Sequence, residues 1–123
     1  MSKMNLTASV RKANSAVSII DIKGEINAQS ESVLMEAYNQ ASLSGIRSII
    51  LNFGGLEYMN SSGIGLLVTL LIRVKRQNQR LLAFGLTDHY QQIFEMTRLN
   101  EAIGLYNSEK EAVSAVIKEG SLS

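Results

Sequence analysis

Asn60, Ser61 and Ser62 stand directly before an apolar run, Ile64 to Ile72, interrupted only by Gly65 and Thr69. All three are residue types whose side-chain oxygen accepts a bond from the orphan amides of a first helical turn. Within and just past the run, Ile64, Leu67, Leu71 and Val74 recur at helical spacing, and Arg73, Lys75 and Arg76 close it where cations favour a helix C-terminus. Ser61 is therefore expected at or beside the N-cap, where backbone N–H groups and the positive end of the helix dipole converge on any anion. A phosphate on Ser61 would bring a charge near minus two and three strong acceptors to a neutral loop without unfolding the helix. Its effect would fall on a partner: an apolar or acidic surface docked over residues 58–66 would lose its match. On residue types alone, a pair of capping serines and a modifiable serine both fit.

Other chemistry finds less support. A nucleophile elbow needs Gly two residues before the serine, and Met59 stands there. The single histidine, His89, falls beside Asp88 in the first turn of an expected helix, a position typical of a solvated residue. Gly63-x-Gly65 is followed by Leu66-Leu67-Val68, so a dinucleotide fingerprint fails, and no Gly-Lys-Ser/Thr completes a phosphate loop. The chain has no Cys, and Glu31, Glu36 and Glu57 show no ligand spacing. No catalytic residue, cofactor or metal is expected. Twelve basic and eleven acidic residues give a net charge of +1, which makes no electrostatic case for nucleic acid or an anionic membrane. The apolar run is about half the length of a membrane span, and no secretory signal opens the chain. A cytoplasmic protein without membrane insertion is the expectation.

The elements that must hold residues 58–66 follow from the patterning. Leu6–Arg11 and Ala16–Ile22 flank a polar turn and read as an antiparallel hairpin, with Gly24 expected to break the second strand. Asn27 or Ser30 caps a helix whose stripe is Val33, Leu34, Ala37, Tyr38 and Ala41. Ile49-Ile50-Leu51 with Phe53 reads as a strand buried on both faces and ending there. Leu81 to Phe84 forms another strand, Thr87 or Asp88 caps a helix with Tyr90, Ile93, Phe94 and Met96 facing inward, and Ile103 to Tyr106 supplies a last strand. Ser108 and Glu111 have the spacing of a capping box for a final helix bearing Ala112, Val113, Val116 and Ile117. The sum is an α/β fold, expected as a single domain over residues 1–123. It is a mixed β-sheet of about five strands with a leading antiparallel hairpin, covered by about four helices. In such sheets functional loops gather beyond the carboxyl ends of the parallel strands, which would bring Ser61, Gly24 to Asn27 and Gly85 to Asp88 together. The helix after Gly63 is apolar around most of its circumference. Leu66, Val68, Leu70 and Ile72 lie off its main stripe, and this excess needs cover from the domain, a second copy or a partner.

The stretch Leu56-Glu57-Tyr58-Met59-Asn60-Ser61-Ser62-Gly63-Ile64-Gly65 resembles the signature of the STAS domain family, in its anti-sigma factor antagonist branch. Ile22-Lys23-Gly24-Glu25-Ile26 is similar to the family's strand-to-helix turn, and Gln92 to Leu99 to its late helix. One departure is that the family's usual Asp is Asn60 here, which keeps the shape and loses a charge; Arg98 stands where many members have Gly. The resemblance implies a non-enzymatic STAS-like module with Ser61 as phosphoacceptor, Ser62 being the second choice. It implies a partner surface of Tyr58, Met59, Asn60, Ser62, Gly63, Ile64 and Leu66 with Gly24, Glu25 and Asn27. The implied partners are an anti-sigma factor serine kinase, bound when Ser61 is unphosphorylated so that a sigma factor is released, and a serine phosphatase; a homodimer also fits. Alternatives within the family are an unphosphorylated scaffold of a signalling complex and a small-ligand or lipid-binding domain.

Overall fold

The computed structural model describes the backbone of residues 5–121 and the side chains of residues 5–117. The elements are β1 (Thr7–Asn14), β2 (Val17–Ile26), α1 (Glu31–Ala41), β3 (Ser48–Met59), α2 (Ser61–Arg76), β4 (Arg80–Phe84), α3 (Asp88–Met96), a 3-10 turn (Leu99–Glu101), β5 (Gly104–Tyr106) and α4 (Glu109–Ser121). The sheet order is β1-β2-β3-β4-β5, with β1 antiparallel to β2 and every other neighbour parallel. The expected mixed sheet with its leading hairpin and covering helices is what the chain forms.

Three helices cover one sheet face. Leu34 and Tyr38 of α1, Leu67, Leu70 and Val74 of α2, and Tyr90 and Phe94 of α3 close over Ile20, Ile22, Ile49, Leu51, Phe53, Leu81 and Ala83 in one buried cluster. Alternate residues of the same strands, Ile19, Ile50 and Leu82, point the other way and meet Ala112 and Val116 of α4. Burial on both faces explains the uninterrupted Ile49-Ile50-Leu51, because a central parallel strand has no solvent side to keep polar. Each fully buried Ile or Leu here contributes about 1.5–3 kcal/mol of transfer free energy. The first turn of α4 is tied to the hairpin by Arg11, which donates to Asp21 (2.7 and 3.1 Å) and to Glu109 (2.6 and 3.0 Å); Asn52 adds a 2.7 Å bond to Asp21.

Two strands outrun their expected ends. β3 continues past Phe53 to Met59, and β2 passes through Gly24 to Ile26. The extensions pair with each other, Gly24 with Leu56, Glu25 with Tyr58 and Ile26 with Met59, across register shifts at Asp21/Lys23 and Gly24/Glu25. Both shifts put the extra residue on β3, Glu57 at the second, and Gly24 stands opposite inside β2: its φ of +98° suits glycine, and a Cβ there would overlap the Asn5 carbonyl oxygen. β4 stops earlier, Phe84 pairing with Asn52, so the β2–β3 extension projects beyond the sheet as a two-stranded ribbon. Met96 differs from expectation, being 80% exposed. It lies two residues from buried Phe94, about 200° around the helix. Ile117 of α4 is likewise exposed.

Candidate functional site

The ribbon ends where α2 begins. Asn60 leaves β3 in an extended conformation (φ −95°, ψ −176°), and its Oδ1 accepts the Gly63 N–H at 2.9 Å, which makes it the N-cap. Its own N–H donates to the Ile26 carbonyl at 3.3 Å, and its carbonyl accepts the Ile64 N–H at 3.0 Å. Ser61 is the first helical residue, exposed, and no described residue hydrogen-bonds its hydroxyl. Ser62 is exposed as well. The Asn60 cap does for the helix what an ionised Asp would do by hydrogen bonding, without the charge.

The turn is held from beneath. Met59 is buried, and its N–H donates to the Tyr90 hydroxyl of α3 at 2.8 Å. Gly63 is buried against the ribbon, where a Cβ would overlap the Ile26 carbonyl and come within 2.8 Å of the Met59 side chain. Met59 and Gly63 therefore lie under the surface that the resemblance implies for them, and position it instead of forming it. Tyr58 is 50% exposed and Ile64 and Leu66 are half-buried. Through the pairing with β3, half-buried Gly24 and Glu25 come beside Leu56 and Tyr58, and Asn27 follows directly, its Nδ2 donating to Glu25 at 2.8 Å. The expected gathering of residues 24–27 with Ser61 is present. An open cleft of about 610 Å³ lies on the outer side of this edge, among Leu6, Glu25, Asn27, Ser30 and Val33.

The buried line of α2 is Gly63, Leu67, Leu70 and Val74, turned from the expected Ile64-Leu67-Leu71-Val74, because Gly63 allows the first turn to press onto Ile26. Of the apolar excess, Leu70 is covered by the domain while Val68 (39%) and Ile72 (47%) are exposed. At about 100° per residue, Ser61, Gly65, Val68 and Ile72 fall within about 60° of one another. The serine thus heads an exposed stripe that is small or apolar for about three turns, opposite the buried line. Gly65 contributes open space, a Cβ there meeting nothing within 4 Å. No Lys or Arg occurs in residues 24–30 or 57–66, whereas Glu25 and Glu57 do, so these segments offer an anion on Ser61 only the helix amides and dipole. Val68 and Ile72 were legible as excess hydrophobicity, while the Tyr90–Met59 bond had no sequence signal.

A family model described as "STAS domain" matches residues 8–112. The anti-sigma-B factor antagonist of Listeria monocytogenes is 26% identical over 108 residues, which cover 88% of this chain and 95% of that protein. A solved anti-sigma factor antagonist from Mycobacterium paratuberculosis superposes with a TM-score of 0.77 at 18% identity, covering 91% of this chain and 94% of its own. The Bacillus cell fate determinant SpoIIAA in its phosphorylated form superposes at 0.64 with 21% identity, covering 89% and 99%. These two structures share the fold.

Proposed function

Since the chain belongs to the STAS domain family, we propose that it is an anti-sigma factor antagonist switched by phosphorylation of Ser61. Unmodified, it binds a serine-kinase anti-sigma factor in the cytoplasm and so frees a sigma factor; phosphorylated, it lets go, and a serine phosphatase restores it. The chain acts as a single binding module and catalyses nothing itself. The name of the Listeria relative and the phosphorylated state of SpoIIAA support this reading.

The observation that carries it is the placement of Ser61: an exposed hydroxyl, free of hydrogen bonds, at the first position of α2 and at the head of its exposed apolar stripe. A phosphate there disturbs no internal contact. In a partner-covered state the same dianion is desolvated, with no cation in the flanking segments to pair it. An unpaired charge buried in an interface costs several kcal/mol, and each 1.4 kcal/mol is about tenfold in affinity, so micromolar binding is lost. The test is peptide mass mapping after incubation with ATP and an extract of the source cells, with Ser61→Ala in parallel. The expected result is one phosphate on the peptide spanning residues 58–66, absent from the variant. A stable co-purifying partner with Ser61 never phosphorylated would overturn the switch and favour a scaffold role; phosphate confined to Ser62 would move the acceptor by one residue.

A further inference from the structure

The three cations that close α2 differ in what they touch. The Arg73 guanidinium sits 5.3 Å from the centre of the Tyr38 ring, and its Nη2 donates to Asn39 Oδ1 at 3.2 Å, so it fastens α2 to α1. Lys75 and Arg76 are exposed, and neither side chain has a hydrogen bond or ion pair among the described residues. They lie where the exposed stripe ends. At about 100° per residue, Lys75 and Arg76 flank the Ser61-Gly65-Val68-Ile72 line on its two sides, all six within an arc of about 100°. At 1.5 Å per residue they stand about 21 Å along the axis from Ser61. The helix carries no acidic residue to answer them. The helix dipole accounts for cations in a last turn, but places no demand on which face they take.

We propose that the protein docked over Ser61 is anchored at the other end of α2 by its own carboxylates, which meet Lys75 and Arg76. The inference rests on the preceding reading, that a serine kinase covers this face, and names the chemistry of the kinase's docking surface. That surface is apolar opposite Val68 and Ile72 and acidic about 20 Å from the catalytic centre. Val68, Ile72 and the open Gly65 supply contact area without direction, so a partner gripping only them could slide or rotate on the helix. Two free cations at the end of the stripe fix register and rotation, and charge complementarity of this kind governs specificity and association rate. The arrangement also separates the two jobs of the face, because the anchor holds a cationic end while the phosphate, once added, repels at the neutral end.

The test is the initial rate of phosphate transfer from ATP to Ser61 by the kinase activity of the source-cell extract, measured against concentration of the chain. Lys75→Glu/Arg76→Glu is compared with wild type, with Lys75→Arg/Arg76→Lys, and with Lys12→Glu/Lys110→Glu. The last makes the same charge change on β1 and α4. The expected result is a roughly tenfold rise in the half-saturating concentration for the charge-reversed pair with the plateau rate kept. Its rate should also lose most of its salt dependence, while the conservative pair and the distant control follow wild type. Superposition of the charge-reversed pair on wild type would overturn the proposal, as would an equal shift in the distant control, which would mean net charge and not an anchor. No transfer to wild-type Ser61 at all would instead remove the phosphorylation reading and this inference with it. Far-ultraviolet circular dichroism of each variant separates loss of fold from loss of docking.

Discussion

Gly63 and Gly65 are two residues apart in the same helix, yet replacement by alanine should move stability in opposite directions. Inside a helix, alanine is favoured over glycine by about 1 kcal/mol, through backbone entropy. At Gly65 nothing opposes that gain, since a Cβ meets no atom within 4 Å, so Gly65→Ala should stabilise by about 0.5–1 kcal/mol. At Gly63 the same Cβ overlaps the Ile26 carbonyl oxygen and the Met59 side chain. The carbonyl is backbone of the β2–β3 ribbon and cannot turn aside as a flexible side chain would. Overpacking of this kind costs about 1–3 kcal/mol, and lifting the first turn also loosens the Asn60 cap, worth about 1 kcal/mol. The net for Gly63→Ala is therefore a loss of about 1–3 kcal/mol after the propensity gain is subtracted. For 123 residues, an unfolding entropy of about 2.1 cal/mol/K per residue converts 1 kcal/mol into about 4 °C of Tm. Thermal unfolding followed by circular dichroism should then show Gly65→Ala up by about 2–4 °C and Gly63→Ala down by about 4–12 °C. Equal, positive shifts would refute the claim that the start of α2 is pressed onto Ile26.

Three further outcomes follow from the same contacts. Asn60→Ala should cost about 1 kcal/mol by removing the bond to the Gly63 N–H, whereas Asn60→Asp should keep the cap and add about 0.3–1 kcal/mol near neutral pH through the helix dipole, both read by urea unfolding. Tyr90→Phe leaves the buried Met59 N–H without its acceptor and should destabilise by about 1–3 kcal/mol, with faster hydrogen exchange at that amide. The Arg11 guanidinium, chiefly by hydrogen bonding, holds Asp21 and Glu109 below the ordinary carboxylate range. Their contribution is therefore present above the unfolded-state values and lost as pH falls through the folded ones. Arg11→Met should flatten the decline of Tm between about pH 5 and 3, and only modestly, because both Arg11 and Glu109 are more than two-fifths exposed.

How much of this was legible in the sequence depended on the range of the interaction. The order of strands and helices, the start of α2 and the place of Ser61 beside its cap rest on local signals: apolar period, capping types and cations in a last turn. The ribbon was not legible, because Gly24 and Gly54-Gly55 look like strand ends. They are the points where chains approach closely: Gly24 against the Asn5 carbonyl, Gly55 against Ile22 and Lys23, and Gly54 beneath Gly85. A glycine kept for a neighbour's backbone has the same letter as one kept for a turn. The rotation of α2 has the same origin, since hydrophobicity alone favoured Ile64 over Gly63 as the buried residue. The support of the site by Tyr90 joins residues 31 apart, and no local pattern encodes such a bond. The exposed pair Val68 and Ile72 is intermediate: the surplus of apolar residues was visible in the sequence, but which of them the domain would cover needed the packing of α2 on the sheet and α1.

A phosphate on Ser61 should change what binds and leave the fold alone. The most direct test is a pair of titrations of the isolated serine-kinase partner against the chain, unmodified and homogeneously phosphorylated at Ser61, with the Tm of both forms recorded. The phosphorylated form should bind at least a hundredfold more weakly, as expected for about 3 kcal/mol of unpaired charge, with Tm values within about 2 °C of each other. Equal affinities, or a loss of binding that tracks a collapse in Tm, would contradict it.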